Sequence, residues 1–409
     1  MKFALLVGDG MADYPLEELG GRTPLEAAGT PNMDRLAREG IVGLVRTIPP
    51  GTAPGSDIAN LNLLGYDVAQ YYSGRAPLEA ASRNLELAPG DVAFRCNLVT
   101  VEDGVMLDYS AGHITSEEAS ELIAAIDDRI GTPSLKFHPG VSYRHLLIVH
   151  GEIAAESDRN LMCTPPHDIV GRPIAGYLPV GQNETAIRKL MSDSVGVLSE
   201  HSVNRKRLQS GKKPANMIWL WGQGKRPSMP SFSDLYGLNG AVISAVDLIR
   251  GLGKYAGLEV VEVPGVTGYF DTNYAGKAGY GLEALKRRDF LFVHVEAPDE
   301  AGHVGDVAEK IRAIENFDKM VVGPIADGIS HSVPHRVMVL PDHLTPIRVR
   351  THVGDPVPFL VWGTGILPGG AATSGAATSG ATCFSEASAR KSGLLVENGY
   401  ELLPRYLMG

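Results

Sequence analysis

The segment KFALLVGDG, residues 2–10, sets the fold of this chain. Its apolar run Lys2–Gly8 has the length of a strand, does not alternate with polar residues, and stops at Asp9. This pattern predicts a strand that is buried on both faces of a sheet. Further runs of this kind follow along the chain, at Ile41–Thr47, Phe290–Val295, Arg336–Leu340 and Val357–Trp362.

Helical patterns lie between these apolar runs. Thr30 and Pro31 predict the start of a helix over Asn32–Glu39, and Gly65 closes a short helix over Asp57–Leu64. Two more helical stretches are predicted at Gly305–Ile329 and Ser385–Glu397. Alternating strands and helices predict an α/β fold with a doubly wound, mostly parallel sheet. The repeat AATSG-AATSG, Ala371–Gly380, is expected to form a surface loop without a catalytic role.

The middle of the chain has a different character. Its predicted strands are Val92–Val101, Tyr143–Val149 and Met217–Trp221, and its predicted helices are Ser116–Ile126, with a Thr115/Glu118 capping box, and Glu184–Leu198. Many Arg, Lys and His residues also collect there. We expect a smaller α/β domain, residues 81–230, inserted into an outer domain of residues 1–80 and 231–409. A plain tandem of two domains is the alternative.

Composition excludes several classes of protein. The 409 residues carry a net charge of −10, and the pI is about 5.7, so a broad nucleic-acid surface is not expected. No stretch approaches the ~18 apolar residues of a membrane span. The cysteines Cys96, Cys163 and Cys383 are far apart and odd in number, which favours a reducing, cytoplasmic setting. The oligomeric state is not determined by the sequence.

Residues of the types that bind metals, Asp and His, follow several of the predicted strands. Asp9 follows the first strand, Asp299 follows Phe290–Val295, and Asp342-His343 follows Arg336–Leu340. In a doubly wound sheet, ligands bind beyond the carboxyl ends of the strands, so these residues can meet at one edge. Carboxylates and imidazoles suit a pair of divalent ions, and such a pair can clamp a phosphoryl group.

The spacing within two of these segments adds detail. Asp299 and His303 are four residues apart, so a helical turn would place them on one face. Asp342 and His343 are adjacent, and on an extended segment they would point opposite ways and reach two different metals. Taken one at a time, such residues are more often turn residues, loop residues or members of surface ion pairs.

Ser56 is the predicted nucleophile. It follows Pro54-Gly55 and precedes the helix that begins at Asp57. Helix N-termini favour phosphate, and a metal can activate a hydroxyl that is otherwise a weak nucleophile. A serine in this position is more often a simple helix cap.

The chain resembles the cofactor-independent phosphoglycerate mutases of the archaeal type, within the alkaline phosphatase superfamily. The resemblance runs across nearly the whole chain, and its motifs agree in order and spacing. The matching segments are VGDGMAD (Val7–Asp13), TPLEAAGTPNMDRLA (Thr23–Ala37), PGSDIANLNLLGYD (Pro54–Asp67), GRAPLEA (Gly74–Ala80), AFRCN (Ala93–Asn97), YSAGHI (Tyr109–Ile114), WLWGQG (Trp219–Gly224), DTNYAGKA (Asp271–Ala278), HVEAPDEAGH (His294–His303), PDHLTP (Pro341–Pro346) and HVGDPVP (His352–Pro358).

The resemblance implies an alkaline-phosphatase-like fold with two divalent metal ions, which Mn²⁺, Zn²⁺, Co²⁺ or Mg²⁺ could supply. One metal is implied at Asp299, His303 and His352, and the second at Asp9, Ser56, Asp342 and His343. It further implies that Ser56 takes the phosphoryl group from 3-phosphoglycerate and returns it to the 2-hydroxyl, without 2,3-bisphosphoglycerate. The inserted domain would close over this small phosphorylated substrate.

Basic residues could neutralise the carboxylate and phosphate of such a substrate. We expect this role for His113, Arg95, Arg144, Arg226 and Lys277. Certain bacterial relatives of the family are proposed homoserine kinases, so a kinase is an alternative, although the chain contains no GxxxxGK[ST] motif. A phosphatase or sulfatase with the same site is another alternative. A degenerate binding module is disfavoured, because all seven implied ligand positions hold competent residues.

Overall fold

The computed structural model describes residues 1–151, 161–330, 333–367 and 381–409. The chain divides into two compact units, which we call unit 1 (Met1–Tyr72 and Met229–Gly409) and unit 2 (Ser73–Ser228). Their first boundary differs from the expected 80/81, because the helix Arg75–Ser82 packs on strands of unit 2. The second boundary is close to the expected 230/231. The AATSG repeat lies outside the described residues.

The strands follow the apolar runs of the sequence closely. They are β1 (Lys2–Gly8), β2 (Ile41–Val45), β3 (Val92–Glu102), β4 (Val105–Asp108), β5 (Leu135–Val141), β6 (Arg144–Val149), β7 (Met217–Lys225), β8 (Gly240–Ile243), β9 (Glu259–Val260), β10 (Phe290–Val295), β11 (His335–Leu340), β12 (Val357–Gly363) and β13 (Leu395–Val396).

The α-helices lie between these strands. They are α1 (Pro24–Ala27), α2 (Pro31–Glu39), α3 (Ser56–Leu63), α4 (Val68–Tyr71), α5 (Arg75–Ser82), α6 (Ser116–Ile130), α7 (Glu184–Ser199), α8 (Ser202–Gln209), α9 (Phe232–Tyr236), α10 (Asp247–Tyr255), α11 (Tyr274–Leu285), α12 (Ala297–Val304), α13 (Val307–Phe317), α14 (Gly323–Ser330) and α15 (Glu386–Lys391). No described helix is long and apolar enough to cross a membrane.

Unit 1 is built on an eight-stranded sheet in the order β13-β2-β12-β11-β1-β10-β8-β9. Strand β1 is central and runs parallel to both β10 and β11, with Val7 opposite His294 and Leu340. Among the described strands of this sheet, only β12 runs antiparallel to its neighbours, β11 and β2. The predicted α/β class with a mostly parallel sheet is confirmed.

The core of unit 1 explains why β1 has no polar side chain between Phe3 and Val7. Leu5, Leu6 and Val7 are fully buried, since elements pack on both faces of the sheet. One cluster joins Leu6 to Val293 and Val339 of the neighbouring strands and to Phe317 of α13. This rigid centre fixes where β1, β10 and β11 end.

One predicted helix of unit 1 is wrong over half its length. The sequence predicted a helix over Ser385–Glu397, but α15 ends at Lys391. Gly393 has φ +70°, a left-handed conformation that ends the helix, and Leu395–Val396 then pairs with β2 as β13. The predicted stretch Gly305–Ile329 is helical in three pieces: α13, a π-helical segment at Asp318–Val322, and α14.

Unit 2 is an antiparallel sheet covered by helices. Strand β3 pairs with β4, β6 and β7, and β5 pairs with β6, all antiparallel. Helix α6 packs on β5, and α7 packs on β7. The Thr115/Glu118 capping box forms at the start of α6, as predicted. The unit has its own core, in which Trp219 and Phe94 are fully buried.

Candidate active site

Three elements end at one edge of the unit 1 sheet and carry acidic residues there. Asp9 directly follows β1, Asp342 is the second residue after β11, and Asp299 lies in the first turn of α12, which follows β10. Since these three strands are parallel neighbours, their carboxyl ends meet at the same edge. Each of the three carboxylates is at most 5% exposed.

The first group of side chains, which we call group A, consists of Asp9, Asp342, His343 and Ser56. Nε2 of His343 lies 3.4 Å from Oδ1 of Asp9 and 3.6 Å from Oδ2 of Asp342. Oγ of Ser56 lies 3.0 Å from the same nitrogen. Asp9, Asp342 and His343 each offer one ligand atom within 4.8 Å of the others.

The second group, group B, consists of Asp299, His303 and His352. Nε2 of His303 lies 3.2 Å from Oδ2 of Asp299, and Nε2 of His352 lies 3.4 Å from Oδ1 of Asp299. The two imidazole Nε2 atoms are 3.0 Å apart. The two imidazoles therefore lie against the two oxygens of the Asp299 carboxylate, and Asp299 and His303 share one face of the helix, as their i, i+4 spacing suggested.

Groups A and B adjoin through His343. Its ring centroid lies 4.1 Å from that of His352. Ligand atoms of Asp299, His343 and His352 also come within 4.8 Å of one another. Residues 342–343 form a bend and not the extended segment that the sequence suggested, so Nε2 of His343 comes within 3.6 Å of Asp342 and also borders group B.

Ser56 is the first residue of α3, after Gly55 in an extended conformation. Its side chain is partly exposed, whereas the following Asp57 is buried. Asn60, one turn later, donates from Nδ2 to the carbonyl of Ser56 and to Oδ2 of Asp342, both at 2.8 Å. Asn60 thus ties the start of α3 to group A. Sequence analysis missed it, although its i, i+4 relation to Ser56 places both on one face of the helix.

Negative charge dominates the buried part of the site. Burial, followed by repulsion from Asp342 and Asp299, holds the pKa of Asp9 well above its ordinary value. Oδ1 of Asp9 makes no hydrogen bond within the described residues. Burial also lowers the pKa of His343, so its ring favours the neutral form. Oδ1 of Asp9 is thus a buried carboxylate oxygen without a donor, 3.4 Å from the ring nitrogen of His343. Carboxylate oxygens beside a neutral imidazole are the donor set of a divalent cation, so these residues fit a metal ion.

His294 is a second residue that sequence analysis did not assign to the site. It lies next to the end of β10 and is fully buried, with Nε2 3.2 Å from Oδ2 of Asp9. The contact is not aligned as a hydrogen bond. Burial lowers the pKa of His294 to about 4, which keeps the ring neutral behind Asp9. A histidine inside an otherwise apolar strand, at the edge that carries Asp9, was the available signal.

The predicted substrate-binding residues fall into two sets. Lys277 of unit 1 is buried and donates from Nζ to the carbonyl of His294 at 2.7 Å, and burial lowers its pKa to about 8. Arg95 of unit 2 is also buried, paired with Glu79 at 3.0 Å and stacked on Trp221 at 4.1 Å. These two side chains have structural partners.

The other three predicted residues are exposed members of unit 2. Arg144 begins β6, on the strand next to the one that carries Arg95. His113 lies in the turn before α6 with φ +50°, and Arg226 directly follows β7. Burial lowers the pKa of Arg95, and repulsion from Arg75, a basic residue that the sequence had not singled out, lowers it further.

Comparison with known proteins agrees with these observations. The family model of 2,3-bisphosphoglycerate-independent phosphoglycerate mutase matches residues 37–204. A mutase of that name from Methanosarcina barkeri is 52% identical, over 98% of this chain and 98% of its own. A solved protein from Pyrococcus horikoshii has a TM-score of 0.80 at 31% identity, covering 98% of this chain and 95% of its own. The solved cofactor-independent phosphoglycerate mutase of Thermoplasma acidophilum has a TM-score of 0.64 at 28% identity, covering 99% and 98%.

Proposed function

Because the chain belongs to the family of 2,3-bisphosphoglycerate-independent phosphoglycerate mutases, we propose that it interconverts 3- and 2-phosphoglycerate through a phosphoserine at Ser56. The observation that carries this proposal is the 3.0 Å distance from Oγ of Ser56 to Nε2 of His343, at the centre of group A. A partly exposed hydroxyl beside two buried carboxylates and a neutral imidazole is suited to metal-assisted nucleophilic attack.

We assign one proposed metal ion to group A and one to group B. Group B would hold one divalent ion through Asp299, His303 and His352. Group A would hold the second through Asp9, Asp342, His343 and Ser56. Such ions, when bound, polarise a phosphoryl group and lower the pKa of a coordinated hydroxyl. Mixed oxygen and nitrogen ligands accept Mn²⁺, Zn²⁺, Co²⁺ or Mg²⁺, and availability selects among them.

The proposed reaction consists of two phosphoryl transfers, one to Ser56 and one from it. In the first, a bond forms between Oγ of Ser56 and phosphorus, and the bond from phosphorus to the 3-oxygen of the substrate breaks. Ser56 loses a proton and the departing glycerate gains one. In the second, a bond forms between the 2-oxygen of glycerate and phosphorus, and the bond from phosphorus to Oγ of Ser56 breaks. The 2-hydroxyl loses a proton and Ser56 regains one. The N-terminal amides of α3 favour the phosphoryl group while it resides on Ser56.

A mutase must keep water from the phosphoserine, since hydrolysis would make it a phosphatase. We propose that exposed basic side chains of unit 2, namely His113, Arg144 and Arg226, bind the carboxylate and phosphate of the substrate. Arg95 and Lys277, which have buried partners, would support this binding through structure rather than through contact with substrate.

A coupled assay tests the function directly. Purified protein, Mn²⁺, 3-phosphoglycerate and enolase should produce phosphoenolpyruvate without added 2,3-bisphosphoglycerate. Ser56→Ala should reduce the rate at least about a thousandfold, because it removes the proposed phosphoryl acceptor. The control Ser233→Ala, at an exposed serine of α9, should keep the wild-type rate. Equal rates in Ser56→Ala and wild type would refute the proposal.

Two parallel reactions test the alternatives. Homoserine with ATP should give no phosphohomoserine, and p-nitrophenyl phosphate should release phosphate far more slowly than the mutase reaction runs. Phosphohomoserine formed in the absence of mutase activity would identify a kinase. Fast phosphate release in the absence of mutase activity would identify a phosphatase.

A further inference from the structure

We propose that Thr345 is a positioning residue that fixes His343 with a proton on Nδ1, so that Nε2 turns a lone pair toward Asp9 and Ser56. This inference deepens the proposed function and rests on its assignment of Asp299 and His343 as metal ligands. Thr345 lies two residues after His343, and its side chain is completely buried.

The hydroxyl of Thr345 contacts one residue of each group. Oγ1 makes a short hydrogen bond to Oδ1 of Asp299 in group B. The same oxygen lies 3.2 Å from Nδ1 of His343 in group A. The contacts occur where water has little access, since Asp299 is 5% exposed and His343 is not exposed at all.

The hydrogens available on Thr345, Asp299 and His343 determine the direction of both hydrogen bonds. A hydroxyl has one hydrogen to donate, whereas an ionised carboxylate can only accept. If Asp299 is a metal ligand, Thr345 must donate to it. The oxygen of Thr345 can then only accept from His343, which requires the proton of the neutral ring to be on Nδ1. Nε2 is thereby left without a proton, 3.0 Å from Oγ of Ser56.

A buried ion pair between Lys310 and Asp13 contacts the backbone of Thr345 and holds it in place. Nζ of Lys310 donates to the carbonyl of Thr345 at 2.8 Å and lies 2.8 Å from Oδ2 of Asp13. The same carboxylate accepts from the amide of Ile347 at 3.1 Å. Neither Lys310 nor Asp13 is exposed. Buried pairs of this kind contribute little net stability, so fixing the segment that carries His343 and Thr345 is the better account of this one.

Gly10 and Gly302 leave room for the hydroxyl and the backbone of Thr345. A Cβ at position 10 would lie 2.6 Å from both Oγ1 of Thr345 and Oδ1 of Asp299. A Cβ at position 302 would lie 2.3 Å from the carbonyl of Thr345. Any side chain at either position would displace the hydroxyl or the turn. The segments VGDG and EAGH therefore need glycine where they approach Thr345.

The first test measures the tautomer in the wild-type protein. Nitrogen-15 NMR of histidine-labelled, metal-free protein, with His343 assigned by the signal lost in His343→Gln, should show the proton of His343 on Nδ1. A proton on Nε2 would overturn the inference without any variant of Thr345.

The second test compares two variants of Thr345. Thr345→Ser keeps the hydroxyl and should bind Mn²⁺ within about threefold of wild type, whereas the nearly isosteric Thr345→Val should bind it about 10–100-fold more weakly. Affinity is measured by titration calorimetry, and thermal unfolding checks that both variants fold. Wild-type affinity together with an unchanged His343 spectrum in Thr345→Val would overturn the inference.

The outcomes separate this inference from the proposed function. A changed tautomer and weaker Mn²⁺ binding in Thr345→Val, in a protein without mutase activity, would support the role of Thr345 and reject the proposed reaction. Full mutase activity with no effect of Thr345→Val on Mn²⁺ binding or on the His343 spectrum would support the proposed reaction and reject the role of Thr345.

Discussion

Nε2 of His303 lies 3.2 Å from Oδ2 of Asp299, across one turn of α12. Burial opposes a charge on His303, but the hydrogen bond and attraction to Asp299 outweigh it and raise the pKa of His303 to about 9. Burial likewise opposes ionisation of Asp299, yet His303 and His352 hold the pKa of this carboxyl well below its usual range. A divalent cation bound in group B would therefore have to displace a proton from His303, and the positive charge beside Asp299 would then be that of the metal.

The first prediction concerns metal content. Protein loaded with Mn²⁺ should contain two equivalents of metal, and Asp299→Asn should contain about one, because it removes the ligand at the centre of group B. Elemental analysis of the gel-filtered protein measures the ratio. Asp327→Asn, at an exposed carboxylate of α14, is the matched control and should retain two equivalents. Two equivalents in Asp299→Asn would contradict the assignment of group B.

The second prediction is a pH dependence of stability that arises at Glu386. This buried carboxyl accepts from the amide of Asp13 at 3.1 Å and from Oγ1 of Thr23 at 2.8 Å. Burial raises its pKa from 4.5 to about 7. Between these values the folded protein binds a proton that the unfolded chain lacks, so this group's contribution to stability falls as the pH rises. The loss amounts to roughly 3 kcal/mol by pH 7.5.

Glu386→Gln removes that proton binding. Relative to wild type, the variant should gain up to roughly 3 kcal/mol in free energy of unfolding between pH 4.5 and pH 7.5. Urea denaturation at several pH values measures the change. Glu17→Gln, at an exposed carboxylate, should follow the wild-type profile. A difference between Glu386→Gln and wild type that does not vary with pH would show that Glu386 is ionised in the folded protein.

The third prediction concerns the buried ion pair of unit 2. Glu79→Met leaves the guanidinium of Arg95 without the counter-ion that now lies 3.0 Å away, with both side chains only 11% exposed. The free energy of unfolding should fall by about 3 kcal/mol. Urea denaturation followed by tryptophan fluorescence reports on it, because Trp221 stacks on Arg95.

Two controls show whether charge is the cause. Asp193→Asn breaks an exposed pair with Lys189 on α7 and should cost less than about 1 kcal/mol. The double variant Glu79→Met/Arg95→Met should recover much of the loss, since no charge is left buried. A double variant no more stable than Glu79→Met would indicate that packing, and not the charge, determines the effect.

Strand bounds could be predicted because apolar runs are local. Lys2–Gly8 and Phe290–Val295 are strands over the lengths that the sequence suggested. Strand direction is not local, so nothing in Val357–Trp362 showed that β12 runs antiparallel to β11. The end of α15 was missed because Leu395–Val396 gains its partner only when the distant β2 lies beside it.

In the site, too, some features could be predicted from local sequence and others could not. Asp9, Asp299 and Asp342 stand at strand ends or just beyond them, where general rules for parallel sheets place ligands. The burial of Lys277 and Arg95 could not be predicted, because the partners that pair with them, the carbonyl of His294 and the ring of Trp221, are distant in sequence. Basic residues are usually exposed, and the pattern around these two contains no sign of burial.

Ser56 is proposed to carry the phosphoryl group between the two transfers. Rapid acid quench of the Mn²⁺-loaded protein with phosphorus-32-labelled 3-phosphoglycerate, followed by peptide mapping, tests it most directly. We expect label on the peptide that contains Ser56, formed as fast as 2-phosphoglycerate appears and missing from Ser56→Ala. Turnover without label on that peptide, or label on another residue, would contradict it.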